Sequence, residues 1–213
     1  MELKDILATF SGGNSTEEKI NKEFSELAKK LLYGGHFRVM SSKNIYLEEI
    51  EFYYHEEGDS PMKDPIMYHT IDRTGNKDLP YFKVGRFNMH TSGVDVTFEN
   101  EEKSYRASFL IRAYSVEHGK IETRSTYIYD DMFYMGIPTD EPIEIEWVED
   151  PINERIESLV LEGTWRRNVP EYELKDGKYE KKPATNPDDK NIFSYSGNKY
   201  VKCHKPWRFI KLH

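Results

Sequence analysis

The sequence predicts an α+β protein with a single domain, built from a mainly antiparallel sheet and a few helices. A chain of 213 residues most simply forms one domain and can bury a substantial core. Apolar residues recur at helical spacing near the N-terminus, at Ile20, Phe24, Leu27 and Leu31. Several segments farther along the chain alternate apolar and polar residues instead, which is typical of half-buried strands.

Two helices are expected in the N-terminal part of the chain. A short one is predicted over residues 3–10, within an N-terminal extension that covers residues 1–14. The longer one is predicted over residues 16–33. Its start is indicated by Ser15 and Glu18, which have the spacing of a capping box, and two consecutive glycines follow its apolar pattern.

Strands rich in β-branched and aromatic residues are predicted to make up most of the remaining fold. They are residues 37–40, 45–54, 93–99, 105–114, 123–129 and 143–148, then a short helix or strand at 156–161 and a final strand that contains Trp207 and Phe209. Residues 55–80 are rich in Gly, Pro, Asp and Asn and are predicted to form a long ordered loop. Residues 169–198 are predicted to form a surface excursion, with a hairpin tip at Asp176 and Gly177.

Composition and charge restrict the class of protein. The 37% hydrophobic and 14% aromatic content fits a folded protein rather than a disordered one. A net charge of −8 argues against a generally basic nucleic-acid coat, although a local basic face is compatible with it. The one cysteine, Cys203, cannot form an internal disulfide, and no apolar run has the length of a signal peptide or a membrane span. These features predict a cytoplasmic protein that is not bound to a membrane.

The predicted strand at residues 45–54 is unusual because it carries three carboxylates, Glu48, Glu49 and Glu51. Strict alternation divides its side chains between two faces. One face would hold Ile45, Leu47, Glu49, Glu51 and Tyr53, and the other Tyr46, Glu48, Ile50, Phe52 and Tyr54. Glu49 and Glu51 would then lie about 7 Å apart, with the aromatic ring of Tyr53 next to them. Such an arrangement could form the floor of a binding site.

Two interpretations of these glutamates are open. In the first, the glutamates are solvated side chains on an edge strand, which is the common case. In the second, they belong to a functional site. The second is favoured because a polar loop from His55 to His69 follows the strand, and such loops commonly hold active sites. His55, Glu56, Glu57 and Asp59 could also hold a cation, but a solvated loop is the simpler interpretation.

Five short segments, taken in their order along the chain, resemble the successive motifs of one protein family. The segments are Glu26-Leu27-Ala28-Lys29-Lys30-Leu31-Leu32, Glu49-Ile50-Glu51-Phe52-Tyr53, Asp64-Pro65-Ile66-Met67-Tyr68-His69, Phe109-Leu110-Ile111-Arg112-Ala113 and Lys205-Pro206-Trp207-Arg208-Phe209. In this order they resemble the methylpurine DNA glycosylases, also called alkyladenine or 3-methyladenine DNA glycosylases. The resemblance implies a strongly curved antiparallel sheet with helices packed around it. It also implies hydrolysis of the bond between a damaged purine and deoxyribose, after the nucleotide is flipped out of duplex DNA.

The resemblance assigns roles to individual residues. Glu51 corresponds to the glutamate that activates water, and Arg112 to the arginine near the water site. Tyr53 and His69 correspond to the aromatic side chains that stack on the base, with Glu49 beside them. Water is the nucleophile in this reaction, so the resemblance implies no metal and no organic cofactor. In the structural alternative, Arg112 is an ion-pair partner of Glu49 or Glu51, Tyr53 is a half-buried sheet residue, and His69 is hydrogen-bonded to the loop backbone.

The chain departs from the family where DNA would be gripped. The segment after the long loop lacks the tyrosine that the family inserts into the duplex, although Met89 or His90 could serve as the wedge. Glu99 replaces the asparagine with which the family rejects undamaged guanine. Lys83 and Arg86 are the nearest candidates for contacts with the DNA backbone. The implied partner is duplex DNA that contains a damaged purine, and the protein is expected to be a monomer.

Three functions remain open at this point. The protein is a divergent glycosylase that acts on alkylated or deaminated purines in DNA, with water activated by Glu51, or it binds or hydrolyses a smaller nucleoside-like ligand. Alternatively, it is a catalytically inactive interaction protein on an inherited fold. A continuous basic surface around Glu51 would favour the first function, a deep closed pocket the second, and a filled pocket the third.

Overall fold

The computed structural model describes residues 2–133, 142–167 and 205–212, and the backbone of four strands between residues 171 and 201. These parts of the chain form an α+β domain around a strongly curled antiparallel sheet, which confirms the predicted fold class at that level. The described helices are α1 (Leu3–Leu7), α2 (Glu17–Tyr33), α3 (Ile71–Thr74), α4 (Ile128–Met132) and α5 (Glu154–Glu157), with a 3₁₀ turn at Ser125–Tyr127. The described strands are β1 (Gly35–Val39), β2 (Lys43–Glu56), β3 (Arg86–His90), β4 (Gly93–Thr97), β5 (Tyr105–Val116), β6 (Ile121–Glu122), β7 (Ile145–Glu149), β8 (Glu171–Lys175), β9 (Lys178–Lys182), β10 (Phe193–Tyr195), β11 (Lys199–Val201) and β12 (Arg208–Ile210).

Strand β2 organises the main sheet of the described chain. The strands follow the order β3-β4-β5-β2-β1-β7, and β6 pairs with the end of β5. On one side β2 pairs with β5 along nearly its whole length, and on the other it pairs first with β1 and then with β12. Strands β8 and β9 pair with each other, with Lys175 opposite Lys178, as a hairpin requires. The predicted tip of that hairpin, Asp176 and Gly177, lies outside the described residues. The side chains of the predicted excursion at 169–198 lie outside the described residues.

The hydrophobic core lies between α2 and one face of the sheet. Ile20, Phe24, Leu27 and Leu31 are all buried, which confirms the helical spacing found in the sequence. Phe24 stacks on Phe52 of β2, with ring centroids 4.3 Å apart. The predicted N-terminal extension contributes buried side chains to the same core. They are Ile6, Leu7 and Phe10.

Helix α2 begins one position later than the capping pattern predicts. Its N-cap is Thr16, whose hydroxyl oxygen accepts a hydrogen bond from the Lys19 amide at 3.3 Å. Ser15 instead donates its hydroxyl to the Gly13 carbonyl and its amide to Glu56. The assignment of the N-cap to Ser15 is therefore wrong, because its side chain and amide are engaged outside the helix.

We expect Thr16→Ala to lower the free energy of unfolding by about 1 kcal/mol, because an amide in the first turn of α2 loses its acceptor. Thr16→Ser keeps the oxygen and should stay within about 0.5 kcal/mol of the wild type. Urea denaturation at neutral pH measures both values. A larger loss for Ser15→Ala than for Thr16→Ala would show that the cap belongs to Ser15 after all.

A β-bulge in β2 overturns the predicted division of its side chains between two faces. The pairing with β5 shifts register between Leu47 and Glu49 and again between Glu49 and Ile50. The core-facing residues of β2 are Ile45 and Leu47 before the shift and Ile50, Phe52 and Tyr54 after it. Glu51 and Tyr53 therefore lie on the opposite face from Leu47, because an extra residue in a strand reverses which alternate side chains face the core.

Other sequence predictions have mixed outcomes. Trp207 and Phe209 are both buried, as predicted for one face of the final strand. The prediction of a strand at residues 123–129 is wrong, because that segment forms the 3₁₀ turn and the start of α4. Strand β3 has no counterpart among the predicted strands. Its side chains are at most partly buried, and partly buried and exposed positions do not alternate along it. Among the described helices, none has the length and apolar character that a bilayer span requires.

Candidate functional site

The bulge in β2 creates a polar second face of the sheet, opposite the core. Side chains from three neighbouring strands meet there. They are Glu51 and Tyr53 of β2, Ser108 and Arg112 of β5, and Asp95, Thr97 and Glu99 in or just after β4. Residues 57–85 and 161–167 cover this face, and the ion pair between Asp64 and Arg166 joins the two segments. Charged groups are therefore buried between the sheet and its covering segments.

Glu51 lies at the centre of this polar face and is fully buried. Its Oε1 accepts hydrogen bonds from the Tyr53 hydroxyl at 2.5 Å and from Arg112 Nη2 at 2.7 Å. Its Oε2 accepts hydrogen bonds from Arg112 Nε at 3.2 Å and from the Arg167 amide at 3.0 Å. A carboxylate offers about four acceptor positions, so those of Glu51 are all occupied.

These contacts keep Glu51 ionised. Burial alone would raise the pKa of Glu51, but the hydrogen bonds and charge of Arg112 outweigh burial and hold that pKa below its usual value. Burial and the Glu51 charge raise the pKa of the Tyr53 phenol well above its usual value, so the hydroxyl remains a donor. The predicted ion pair between Arg112 and Glu51 is confirmed.

A narrow cleft opens beside this network. Most of its volume of about 370 Å³ is open to solvent, and the enclosed part holds about one water molecule, so a purine base enters only if the walls of the cleft move apart. Four residues selected by the family resemblance line it, namely Tyr53, His69, His90 and Glu99. The described residues that line the cleft do not include Glu51. Glu51 is linked to the cleft through the hydrogen bond that it accepts from the Tyr53 hydroxyl.

His69 forms one wall of the cleft together with Phe82. Their rings are stacked, with centroids 3.7 Å apart and planes 3° from parallel. The Nδ1 of His69 lies 3.1 Å from Arg106 Nη1 and 3.2 Å from Glu99 Oε1. The described contacts of the His69 ring are therefore with side chains rather than with the loop backbone.

Glu99 is buried against Arg106, a residue outside the motifs recognised in the sequence. Glu99 Oε2 accepts hydrogen bonds from the Phe82 amide at 2.8 Å and from Arg106 Nη1 at 3.1 Å. Arg106 also donates to Glu57 and, at 2.8 Å, to the carbonyl of Leu79. Glu99 is thus ion-paired inside the protein, with an arginine that it shares with Glu57.

Asp95 of β4 places a further carboxylate on the wall of the cleft. Its Oδ1 lies 3.2 Å from His90 Nε2, and its Oδ2 lies 3.5 Å from the Ser108 hydroxyl. The Nδ1 of His90 accepts a hydrogen bond from the Ser92 amide at 3.2 Å, so neutral His90 carries its proton on Nε2, toward Asp95. The sequence contains a signal for Asp95, because Asp95 alternates with the apolar residues Val94 and Val96, which puts it on the face of the strand opposite the core.

The remaining residues selected from the sequence lie outside the cleft. Glu49 is buried and pairs with Arg208, with 3.0 Å between Oε1 and Nε. Arg86 is exposed at the start of β3, which is an edge strand of the described sheet, and Lys83 is exposed three residues before it. Met89 of the same strand is 56% exposed. The structure thus brings two cations and an apolar side chain to one sheet edge.

Two buried groups and one half-buried group have the spacing of a cation site. The Nε2 of His55 and carboxylate oxygens of Glu57 and Asp72 lie within 4.8 Å of one another. However, the Asp64 amide donates to His55 Nδ1 at 3.0 Å, so neutral His55 carries its proton on Nε2 and cannot offer that atom to a metal. The Lys63 ammonium group also lies 3.0 Å from Asp72. These groups therefore form a charge network in which the His55 N–H faces two carboxylates.

Comparisons with known proteins do not assign the chain to a family. The sequence matches no protein-family model, and neither curated proteins nor solved structures gave a significant match. The resemblance to the methylpurine DNA glycosylases therefore depends on the five sequence segments alone.

Proposed function

We propose that the protein hydrolyses the N-glycosidic bond of a modified purine whose base enters the cleft. The observation that carries this proposal is the convergence of Tyr53, His69, His90 and Glu99 on one cleft. The resemblance selects these residues from separate parts of the sequence, and nothing in their spacing requires them to meet. Their convergence supports a shared site.

The walls of the cleft suit a planar base that carries hydrogen-bond donors. Aromatic rings come from Tyr53, Tyr68 and the stacked pair of His69 and Phe82, and aromatic faces bind bases by stacking. The carboxylate of Asp95 can accept a hydrogen bond from a ring N–H or an amino group. A base with a positive charge or an amino edge is therefore favoured over an anionic ligand.

A second candidate function is the binding of a nucleoside-like ligand without hydrolysis. It is favoured by the full set of hydrogen bonds on Glu51, the carboxylate to which the resemblance assigns water activation. A general base must lie within hydrogen-bond reach of the water that it activates, and each acceptor position of Glu51 already has a donor. If Glu51 were the only carboxylate available for this step, the bound ligand would stay intact.

The partner that we propose is duplex DNA, held with low non-specific affinity. Lys83 and Arg86 provide positive charge at the exposed edge of the sheet, and Met89 provides an apolar side chain that could enter the base stack. Two cations release few counterions from DNA, so binding should be weak at physiological salt. Free nucleosides are the alternative substrates.

Single-turnover release of free base tests the proposed hydrolysis. The substrates are a duplex oligonucleotide with one alkylated or deaminated purine and the corresponding free nucleosides, all at low salt. The wild type should release the base. His69→Ala should slow release by about tenfold, because stacking on one aromatic side chain contributes about 1–3 kcal/mol per base. Glu154→Ala, an exposed position on α5, should match the wild type.

The outcomes separate the candidate functions. Binding of an oligonucleotide or nucleoside by the wild type without release of base would favour the second candidate. Release from nucleosides alone would restrict the substrate to small molecules. Neither release nor binding with any of these substrates would refute a purine site in the cleft.

A further inference from the structure

The polar face of the sheet holds three carboxylates that could act as the base in hydrolysis, and Asp95 and Glu99 line the cleft whereas Glu51 does not. We propose that Asp95, rather than Glu51, is the catalytic residue that takes a proton from the attacking water. This assignment rests on the proposed hydrolysis and names the residue that performs its central proton transfer. His90 is a positioning residue that acts through Asp95.

The three carboxylates differ in the acceptor positions that they have available. Both oxygens of Glu99 have partners, namely His69 Nδ1 on Oε1 and the Phe82 amide and Arg106 Nη1 on Oε2. Both oxygens of Glu51 accept two hydrogen bonds each from protein donors. By contrast, Oδ1 of Asp95 is buried and has no hydrogen bond of good geometry among the described residues. Its described partner is His90 Nε2 at 3.2 Å, so this oxygen has one donor where each oxygen of Glu51 has two, and it keeps an acceptor position for a water molecule or a ligand N–H.

The surroundings of Asp95 hold this carboxylate in place on the cleft wall. The protonated Nε2 of His90 lies 3.2 Å from Oδ1, and Tyr68 packs edge-on against the His90 ring with centroids 4.9 Å apart. The Ser108 hydroxyl lies at 3.5 Å from Oδ2. Because these are few and long contacts, Asp95 keeps acceptor capacity that Glu51 lacks. A water between Asp95 and the sugar of a bound purine would therefore meet a carboxylate that has a spare acceptor position.

The proposed step is balanced as a hydrolysis. The water oxygen forms a bond to the anomeric carbon of the sugar while the bond from that carbon to the base nitrogen breaks, and the electron pair of that bond leaves with the base. Asp95 takes one proton from the water. That proton then passes to the departed base or to solvent, which restores the carboxylate. The products are free base and a sugar with a hydroxyl group.

The test compares rates of base release per folded molecule, with the folded fraction of each variant measured by denaturation. Asp95→Asn keeps the shape of the side chain and removes its charge, so release should slow by about 100- to 10,000-fold. Glu51→Gln should slow release much less than Asp95→Asn does, because Glu51 does not line the cleft, and Glu154→Ala, an exposed position, should match the wild type. Asp95→Ala should recover part of its rate when sodium formate is added, since formate supplies a carboxylate to the vacated space.

The positioning role of His90 has its own readout. His90→Gln keeps an N–H donor on a side chain of similar reach, whereas His90→Leu removes it. Release should be faster for His90→Gln than for His90→Leu, and formate should restore neither variant because Asp95 is still present. Equal rates for the two variants would show that the N–H of His90 does not act on Asp95.

Each remaining outcome decides for or against the assignment. Formate-dependent recovery in Asp95→Ala would support it, because a small anion does not repair a structural defect. Release by Asp95→Asn at a rate within tenfold of the wild type would overturn the assignment and leave the proposed hydrolysis intact. Loss of release in Glu51→Gln alone would return the role to Glu51. No release by the wild type from any substrate would overturn both the assignment and the hydrolysis.

Discussion

Replacement of Glu51 by Gln is expected to lower the free energy of unfolding by about 3 kcal/mol. The substitution leaves the Arg112 guanidinium, whose side chain is only 15% exposed, without its counter-charge. It also replaces one carboxylate oxygen by an amide nitrogen, which is a donor. Each oxygen of Glu51 accepts two hydrogen bonds, so the new N–H group would face two donors at close range.

The double variant Glu51→Gln with Arg112→Leu separates the charge from the packing. It should recover part of the loss, because neither charge of the pair remains.

Because the pKa of Glu51 is lowered in the folded protein, the stabilisation by its charge is complete above the usual value of about 4.5 and is lost as the pH falls below it. The gap between wild type and Glu51→Gln should therefore shrink in acid. Urea denaturation at several pH values measures it, and a loss under about 1 kcal/mol at neutral pH would contradict the buried network.

The parts of the fold that could be predicted from the sequence are those set by local periodicity. Helix α2 repeats one apolar stripe over 17 residues, so its existence and its buried face follow from the spacing alone. The alternating segments at β4 and β5 follow in the same way. The exact N-cap residue of α2 could not be predicted, because Ser15 and Thr16 both suit that position. The choice depends on the hydrogen bonds that Ser15 makes outside the helix.

The bulge in β2 shows how one residue changes the interpretation of a candidate site. Strict alternation mixes apolar and acidic side chains on one face, a pattern that no half-buried strand would favour. The sequence does contain the signal for the bulge, because its apolar residues change from odd to even positions across Glu48 and Glu49. A single added residue accounts for that change and sorts the strand into an apolar face and a polar face.

The wall of the cleft could be predicted only in part. Tyr53 lies on a strand, and its position follows once the bulge is known. His69 and Phe82 belong to the segment that covers the sheet, and their stacking depends on long-range contacts such as those of Arg106 with Glu99. No local pattern encodes such contacts, since they join residues that are distant in sequence through tertiary packing. The resemblance nevertheless selected His69, because a sequence motif can be recognised without knowing how the loop that carries it folds.

Replacement of Arg166 by Met is expected to lower the free energy of unfolding by about 4 kcal/mol. The side chains of Asp64 and Arg166 are both completely buried, and Nη2 of Arg166 donates to Oδ1 of Asp64 at 3.1 Å. Methionine fills much of the same space without a charge, so Asp64 would remain buried without its counter-charge. The Tyr54 amide, at 3.4 Å from Oδ2, is too weak a donor to compensate.

The matched double variant, Asp64→Leu with Arg166→Met, should be more stable than Arg166→Met alone, because no charge is then left buried. Urea denaturation of the wild type, both single variants and the double variant gives the coupling between the two positions. A double variant that loses as much as the two single variants combined would contradict this expectation.

The pair also connects stability to the shape of the cleft. Asp64 precedes His69 in the covering segment, and the Arg166 guanidinium lies 5.1 Å from the centroid of the Tyr53 ring. A buried pair stabilises a fold little when apolar side chains can replace it, but it can fix one arrangement of the segments that it joins. The double variant is therefore expected to fold with near wild-type stability but no longer to bind or release a purine. That result would show that Asp64 and Arg166 fix the position of the cleft walls and contribute little to the stability of the domain.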